Sequence, residues 1–207
     1  MNRIGVFGGT FNPVHKGHET AAVEFYGKFN LDKLLIIPAN IPPHKHSPED
    51  ILPQNRFDMC RICFEKYINN YNIEASDIEI KKDGVSYTFN TVETLREIYP
   101  ESLIYFLVGS DMFLYIEHWH RYRELLEMCV FVVACRNNNN TDRHEILKLR
   151  ENLISRGYQI ELLDNAAFEI SSTELRDKIK SNNYDLSDYL SPEVLNYIKE
   201  RKIYVLQ

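Results

Sequence analysis

Arg3-Ile4-Gly5-Val6-Phe7-Gly8-Gly9-Thr10-Phe11-Asn12-Pro13-Val14-His15-Lys16-Gly17-His18 is the stretch on which the fold of this chain turns. The apolar run from Ile4 to Phe7 reads as the centre of a buried strand over Arg3–Gly8, and His18–Phe29 reads as a helix. The order is therefore strand, glycine turn, two histidines, helix. It gathers backbone N–H groups and two imidazoles at a helix start, which suits a polyphosphate. Gly8 and Gly9 are expected to turn the backbone sharply and to let a ligand come close, since no Cβ stands in the way. Pro13 stiffens the loop and cannot continue a strand. His15 and His18, three apart, share a face in a helical first turn. Each can donate to phosphate, and an unperturbed histidine titrates at about 6.5.

Outward from this stretch the pattern alternates. Strands are expected at Arg3–Gly8, Lys33–Pro38, Ile73–Ala75, Leu103–Val108, Val130–Ala134 and Gln159–Leu163. Helices are expected at His18–Phe29, Pro53–Ile68, Thr88–Ile98, Met112–Ile116, Tyr122–Met128, Asp142–Arg156, Ser172–Ser181 and Pro192–Lys199. Strands alternating with helices imply βαβ units, right-handed crossovers and a doubly wound, Rossmann-like parallel α/β sheet. Ligands in such sheets bind beyond the carboxyl ends of the strands, where the strand order reverses. With 207 residues and 44% hydrophobic residues, a single domain over 1–207 is expected. Asn137 to Asn140 reads as a surface loop.

Net charge is −6. That argues against a general nucleic-acid binder and requires positive charge to be focused locally at any anion site. The N-terminal apolar run is too short for a signal peptide, and no segment approaches the ~20 apolar residues of a membrane span. Cys60 and Cys63 have redox or metal spacing. They fall inside a helical pattern whose apolar face takes in Phe57, Cys60, Ile62, Cys63, Phe64 and Tyr67, so buried free thiols and a reducing cytoplasm are expected.

Further segments start where expected strands end. Pro38 to Lys45 carries three prolines, an extended loop that can hold Lys45, beside His44, over the sheet edge; read plainly it is a stiff connector with a solvated lysine. Ser86-Tyr87-Thr88 marks a helix start at which Thr88 can serve as N-cap. Gly109-Ser110-Asp111 places a carboxylate within reach of ribose hydroxyls. Trp119, the sole tryptophan, sits among Glu117, His118, His120 and Arg121, a polar setting for a core residue. His118 and His120, two apart, do not share a helix face, so no metal site is assigned there. Ile170-Ser171-Ser172-Thr173-Glu174-Leu175-Arg176 is a capped helix start with an acidic residue at the positive end of the dipole. Arg176 stands near that end against the dipole preference, which makes sense if an anion lies between.

Taken together these segments resemble the nucleotidylyltransferases of the (T/H)xGH superfamily, and among them the bacterial nicotinate-mononucleotide adenylyltransferases. Gly8 to His18 resembles GGTFDPxHxGH, with Asn12 where aspartate is commoner. Pro38–Lys45 resembles PxxxPPHK, Ser86–Thr91 resembles SYTxxT, Gly109–Trp119 a GxD…W element, and Ile170–Arg176 resembles ISSTxxR. Leu190–Tyr204 resembles the family's closing segment, so the likeness runs nearly end to end. Arg136 is kept, but asparagines follow it where the family often has proline and glycine.

The resemblance implies catalytic roles for His15, His18 and Arg176. It places ATP against Gly8, Gly9, Thr10, Phe11, Gly109, Asp111, Arg136, Ile170, Ser171, Ser172 and Thr173. The mononucleotide falls against His44, Lys45, Ser86, Tyr87, Thr88 and Trp119, the indole stacking on the pyridine ring. The helical segment from about 170 would complete the ATP site. The implied substrates are ATP and nicotinate mononucleotide, with Mg²⁺ carried mainly on ATP phosphates and few dedicated protein ligands. No nucleic-acid or membrane partner is implied, and a homodimer is compatible with the pattern.

Adenylyl transfer fits the residues, because a phosphate nucleophile is already anionic and needs no general base. Imidazoles, lysine and arginine then serve by positioning and charge stabilisation. Related adenylyltransferases act on nicotinamide mononucleotide or on phosphopantetheine; the latter usually carry lysine at the Arg176 position. A dehydrogenase would need GxGxxG with an acidic residue about 20 positions on, which Gly5 to Gly17 does not supply. A non-catalytic nucleotide sensor would not need both histidines and Arg176.

Overall fold

In the computed structural model, residues 2–43, 51–136, 140–165, 171–181 and 185–204 are described, with backbone alone at 136, 140–142 and 165. Six strands form one parallel sheet: β1 (Arg3–Gly9), β2 (Lys33–Pro38), β3 (Ile73–Ala75), β4 (Leu103–Gly109), β5 (Val130–Arg136) and β6 (Ile160–Asn165). Their order is β3-β2-β1-β4-β5-β6, so the chain builds outward from β1 on one side and then restarts at β4 on the other. The order reverses between β1 and β4, and a crevice opens there beyond the strand ends.

The helices are α1 (Lys16–Lys28), α2 (Pro53–Phe64), α3 (Ile68–Tyr71), α4 (Thr88–Ile98), α5 (Ser110–Leu114), α6 (Tyr122–Met128), α7 (Asn140–Ser155), α8 (Ser172–Ser181) and α9 (Pro192–Glu200). Alternation along the strands divides the core in two, because successive side chains point to opposite faces. Phe7, Leu34 and Ile36 pack with Phe25 of α1, with Met59 and Phe64 of α2, and with Leu175, Val194 and Ile198 of α8 and α9. Ile4, Val6, Leu35 and Ile37 pack on the other face with Val92, Leu125 and Leu153 of α4, α6 and α7. Each fully buried side chain of this kind contributes about 1.5–3 kcal/mol. At α9, Pro192 opens the helix and the Ser191 hydroxyl accepts from the Val194 N–H at 3.3 Å.

The doubly wound parallel sheet expected from the sequence is present, with strand limits shifted by one or two residues. β1 and β4 each run one residue longer, because Gly9 pairs with Pro38 and Gly109 with Ala134. Helix limits differ more. α1 begins at Lys16, not His18, because His15 closes its first turn. The expected helix to Ile68 breaks into α2, a 3₁₀ turn at Glu65–Tyr67 and α3. Its buried face is Arg56, Met59, Cys60, Cys63 and Phe64, so an arginine stands inside and Phe57 and Ile62 lie only partly buried. α5 starts at Ser110, since extended Gly109 serves as its N-cap. Asn140 belongs to α7 rather than to a loop, and residues 137–139 lie outside the described residues.

All four cysteines are free thiols and buried. Burial pushes all four thiols up, and Cys60, Cys63 and Cys129 well above their ordinary range, which keeps Cys60 and Cys63 unreactive. No described helix is long and apolar enough to cross a membrane.

Candidate active site

The loop from β1 into α1 takes its shape from Phe11 rather than from the glycines. Gly8 and Gly9 lie in the strand, whereas Phe11 adopts a left-handed backbone with φ 50°. That conformation is costly for a bulky residue. Burial offsets it: the Phe11 ring is 2% exposed and meets Phe7 and His18 edge-on, at 5.3 and 5.0 Å between centroids. At 9 a side chain would be crowded for a different reason than expected. A Cβ there would stand 3.1 Å from the Phe11 ring.

His15 is the N-cap of α1 and is buried; His18 is its third residue. The His18 N–H donates to the His15 carbonyl at 2.8 Å, and the His15 N–H donates to His18 Nδ1 at 3.2 Å. The two rings lie 3.8 Å apart. With Nδ1 accepting, the neutral His18 ring carries its proton on Nε2.

The start of α8 closes over the same loop. Arg176 Nη1 donates to the Asn12 carbonyl at 2.8 Å and Nη2 to Thr173 Oγ1 at 3.2 Å. The Ser172 hydroxyl donates to the Pro13 carbonyl at 3.0 Å. Ser171 and Glu174 form a capping box: the Ser171 N–H and hydroxyl both reach the Glu174 carboxylate, and Ser171 Oγ accepts from the Glu174 N–H. Tyr204 completes the enclosure by donating to Asn12 Oδ1 at 2.5 Å. The Lys16 ammonium donates to the Ser187 carbonyl at 2.7 Å, which seats α1 on the C-terminal segment.

Beside this loop a cleft holds about 890 Å³ of free space, part of it open to solvent. It lies at the reversal of strand order. Gly8 to Thr10 form one wall and Phe106 to Gly109 another. Ala39, Pro42 and Pro43 face Ser86 to Thr88, and Trp119 and His120 close the end. Trp119 is braced edge-on against Phe106 and Phe131, each at 6.3 Å. His120 lies over Tyr87 at 4.5 Å, whereas His118 stacks on Tyr115 at 4.1 Å, so the two histidines part. The turn that carries them is pinned to α4 by the Arg121 guanidinium, 3.7 Å over the Phe89 ring.

Of the expected site residues, Gly8, Gly9, Thr10, Ser86, Tyr87, Thr88, Gly109 and Trp119 line the cleft, while His15, His18, Ser172, Thr173 and Arg176 gather at the adjoining loop. Thr88 is the first residue of α4 and Tyr87 its N-cap, so Thr88 does not cap the helix as expected. The Ser86 hydroxyl accepts from the Asn40 N–H at 2.8 Å and bonds the Glu79 carboxyl, a structural duty. Asp111 is exposed in the first turn of α5, with its Oδ1 against Gly109. His44, Lys45 and Ile170 lie outside the described residues, and Arg136 is placed by its backbone alone, at the end of β5.

Three further residues were missed by the sequence reading. Arg56 is buried and binds three carbonyls behind the cleft. Glu79 lines it, buried, and accepts from the Thr91 hydroxyl at 2.6 Å. Burial holds the Glu79 carboxyl above its ordinary range despite the Thr91 and Ser86 hydrogen bonds. His120 is the third. For Arg56 a signal existed, since its spacing of three, four and seven from Met59, Cys60 and Cys63 puts it on the helix's inner face.

A loop at the start of α1 that gathers two imidazoles and a guanidinium, opening on a cleft where the strand order reverses, gives the architecture of a nucleotide-binding α/β protein. The chain belongs to the cytidylyltransferase-like family, whose pattern matches residues 6–178, and within it to the nicotinate-nucleotide adenylyltransferases. A protein of Bacillus licheniformis named "Probable nicotinate-nucleotide adenylyltransferase" is 36% identical over 205 residues, covering 99% of each chain. One of Clostridium botulinum, strain Kyoto, with the same name is 34% identical over 204 residues, covering 99% of this chain and 100% of the relative. The fold also matches a nicotinic acid mononucleotide adenylyltransferase of Plasmodium falciparum solved in complex with NaAD. Its TM-score is 0.74 at 22% identity, over 99% of this chain and 98% of that one.

Proposed function

We propose that this chain transfers the adenylyl group of ATP to nicotinate mononucleotide, forming nicotinate adenine dinucleotide and pyrophosphate, in NAD biosynthesis. The mononucleotide's 5′-phosphate oxygen attacks the α-phosphorus in line. The bond from that phosphorus to the bridging oxygen breaks, and its electron pair leaves with pyrophosphate. Catalysis is then a matter of position and charge.

The observation that carries this reading is the meeting of His15, His18 and Arg176 at one loop, beside a cleft that ends at Trp119. In it, His18 Nε2 donates to the α-phosphate, and Arg176 with Thr173 takes the leaving pyrophosphate. The pyridine ring stacks on Trp119. Its carboxylate meets the N-terminus of α4, whose dipole favours an anion. Arg136, Asp111, Lys45, His44 and Ile170 keep the roles that the family likeness implies. The chain works as one unit over 1–207, supported by the three hydrogen bonds that tie Ser172, Arg176 and Tyr204 to the β1–α1 loop.

Among the described residues, no three of His, Cys, Asp and Glu are grouped as a protein-held metal would need. The donors around the loop are amides, imidazoles and a guanidinium, a set that suits phosphate oxygens. That donor set fits Mg²⁺ carried on the ATP phosphates, whose charge it would neutralise.

Pyrophosphate release with ATP and, in turn, nicotinate mononucleotide, nicotinamide mononucleotide and 4′-phosphopantetheine tests the reading. Release is expected with the first, more weakly with the second. Release with phosphopantetheine alone, or with no acceptor, overturns it.

A further inference from the structure

Arg56 lies at the end of the first turn of α2 and is 3% exposed. Its Nη1 donates to the Thr10 carbonyl at 3.0 Å and to the Ala39 carbonyl at 2.6 Å; its Nη2 donates to the Asn40 carbonyl at 2.8 Å. Thr10 continues β1 into the phosphate loop. Ala39 and Asn40 continue β2 into the facing wall. One planar guanidinium thus spans the two loops that border the cleft.

The bridging continues on the far side. The Asn40 N–H donates to Ser86 Oγ at 2.8 Å and its side-chain amide to the Lys82 carbonyl at 2.7 Å. The Ser86 N–H donates to the Ile41 carbonyl at 2.8 Å, and Ile41 pairs with Val85. The loop after β2 is therefore fixed to Arg56 on one flank and to the start of α4 on the other. Lysine could keep the charge, but its three N–H donors diverge from a single nitrogen and could not hold these three carbonyls as the planar guanidinium does.

We infer that Arg56 is a positioning residue: its guanidinium sets the spacing between the loop that takes ATP and the loop and helix start that take the acceptor nucleotide. It touches neither substrate. Its effect is on the approach of acceptor phosphate to α-phosphorus, where an error of about 1 Å can cost about 10²-fold in rate.

The inference rests on the proposed reaction only for its assay. A native chain inactive with nicotinate mononucleotide would sink that reading and leave Arg56 to be tested with the acceptor that does turn over. In steady-state kinetics with both substrates varied, Arg56→Lys is expected to lose about 10- to 100-fold in kcat, while KM for ATP and for the acceptor each move less than about threefold. Calorimetric binding of each nucleotide alone should stay within the same threefold range. Unchanged kcat, or unchanged kcat with a raised KM for either nucleotide, overturns the proposal and leaves Arg56 as structural support or a simple phosphate-attracting charge. As a second variant, Arg56→Ala is expected to regain turnover when free guanidinium is added at millimolar concentration. No recovery, or failure of both variants to fold, overturns it as well.

Discussion

The phosphate loop and the cleft beside it share Thr10, yet they are held in opposite ways. The loop from Phe11 to His15 is held from the far end of the chain. Asn12 binds Arg176 and Tyr204, which are 164 and 192 positions away, and Pro13 binds Ser172, 159 away. The cleft is held from within the sheet and its nearest crossovers: Phe106 and Phe131 brace Trp119, and Arg56 and Ser86 fix Asn40. One half is therefore polar and completed late in the sequence. The other is largely apolar and braced by the sheet and its crossovers. The proposed function uses that contrast: phosphates, which need several directed donors, are assigned to the first, and a flat ring, which needs a surface, to the second.

The largest break in this comparison is at the phosphate half. His18→Ala removes the donor on Nε2, and loss of one such preorganised donor costs about 10²–10³ in kcat. Turnover is to be measured at saturating ATP, where weaker binding alone would be masked. A normal kcat there would move the chemistry away from the histidine pair. Arg176→Ala comes next, at about 10². Arg176→Lys should recover little of it, because the ammonium cannot reproduce the fork that reaches both Asn12 O and Thr173 Oγ1. If lysine restores kcat fully, the arginine acts as a charge and not as a clamp.

How far each half could be read in the sequence follows from the same contrast. The histidine pair, the glycines and the capped segment at Ser171–Arg176 are local strings, so they stand out along the chain. The six strands and the parallel, doubly wound class of the sheet followed from alternation and apolar runs, whereas the strand order came only with the fold. The agent that bends the loop did not: Phe11, not Gly9, takes the left-handed backbone, because tertiary burial of its ring outweighs local propensity. Arg56 escaped for a like reason. An arginine on a helix is ordinarily solvated, and its three acceptors come from loops 16, 17 and 46 positions away that only the fold brings together. Glu79 sits in a polar run that reads as surface, and its burial depends on α4 packing Thr91 above it.

At the cleft the expected effect is smaller and of a different kind. Stacking of a base-like ring on an aromatic side chain contributes about 1–3 kcal/mol. Trp119→Ala should thus raise KM for the mononucleotide about tenfold and leave KM for ATP and kcat within about threefold. Trp119→Phe should lie between. A drop in kcat as large as that of His18→Ala would show that the two halves are not separable, since the indole would then be aligning the reacting phosphate as well as binding the ring.

The smallest effect concerns Glu79, a carboxyl that lines the same cleft. Burial raises the folded-state value of Glu79 above the ordinary 4.5. The folded chain therefore holds this proton more tightly than the unfolded chain. The associated stability is fully present below the unfolded value and is lost as pH rises through the raised folded value. Glu79→Gln removes the titration and keeps a carbonyl acceptor for the Thr91 hydroxyl, but it replaces the second carboxyl oxygen with an NH2 donor in a buried site, so it should melt lower at every pH. Its deficit against the native chain should be greater near pH 4.5 than near pH 7.5, by a few degrees at most, on the scale of about 2–4 °C per kcal/mol for a chain of this size. A deficit that grows with pH would mean an ionised carboxylate kept by its hydrogen bonds. A fixed negative charge at that point would oppose the carboxylate of nicotinate, and the preference over nicotinamide mononucleotide should then sharpen in Glu79→Gln. With burial opposing ionisation of this carboxyl, the same substitution is expected to leave that preference within about twofold, which ties the pH profile and the acceptor choice to one group lining the cleft.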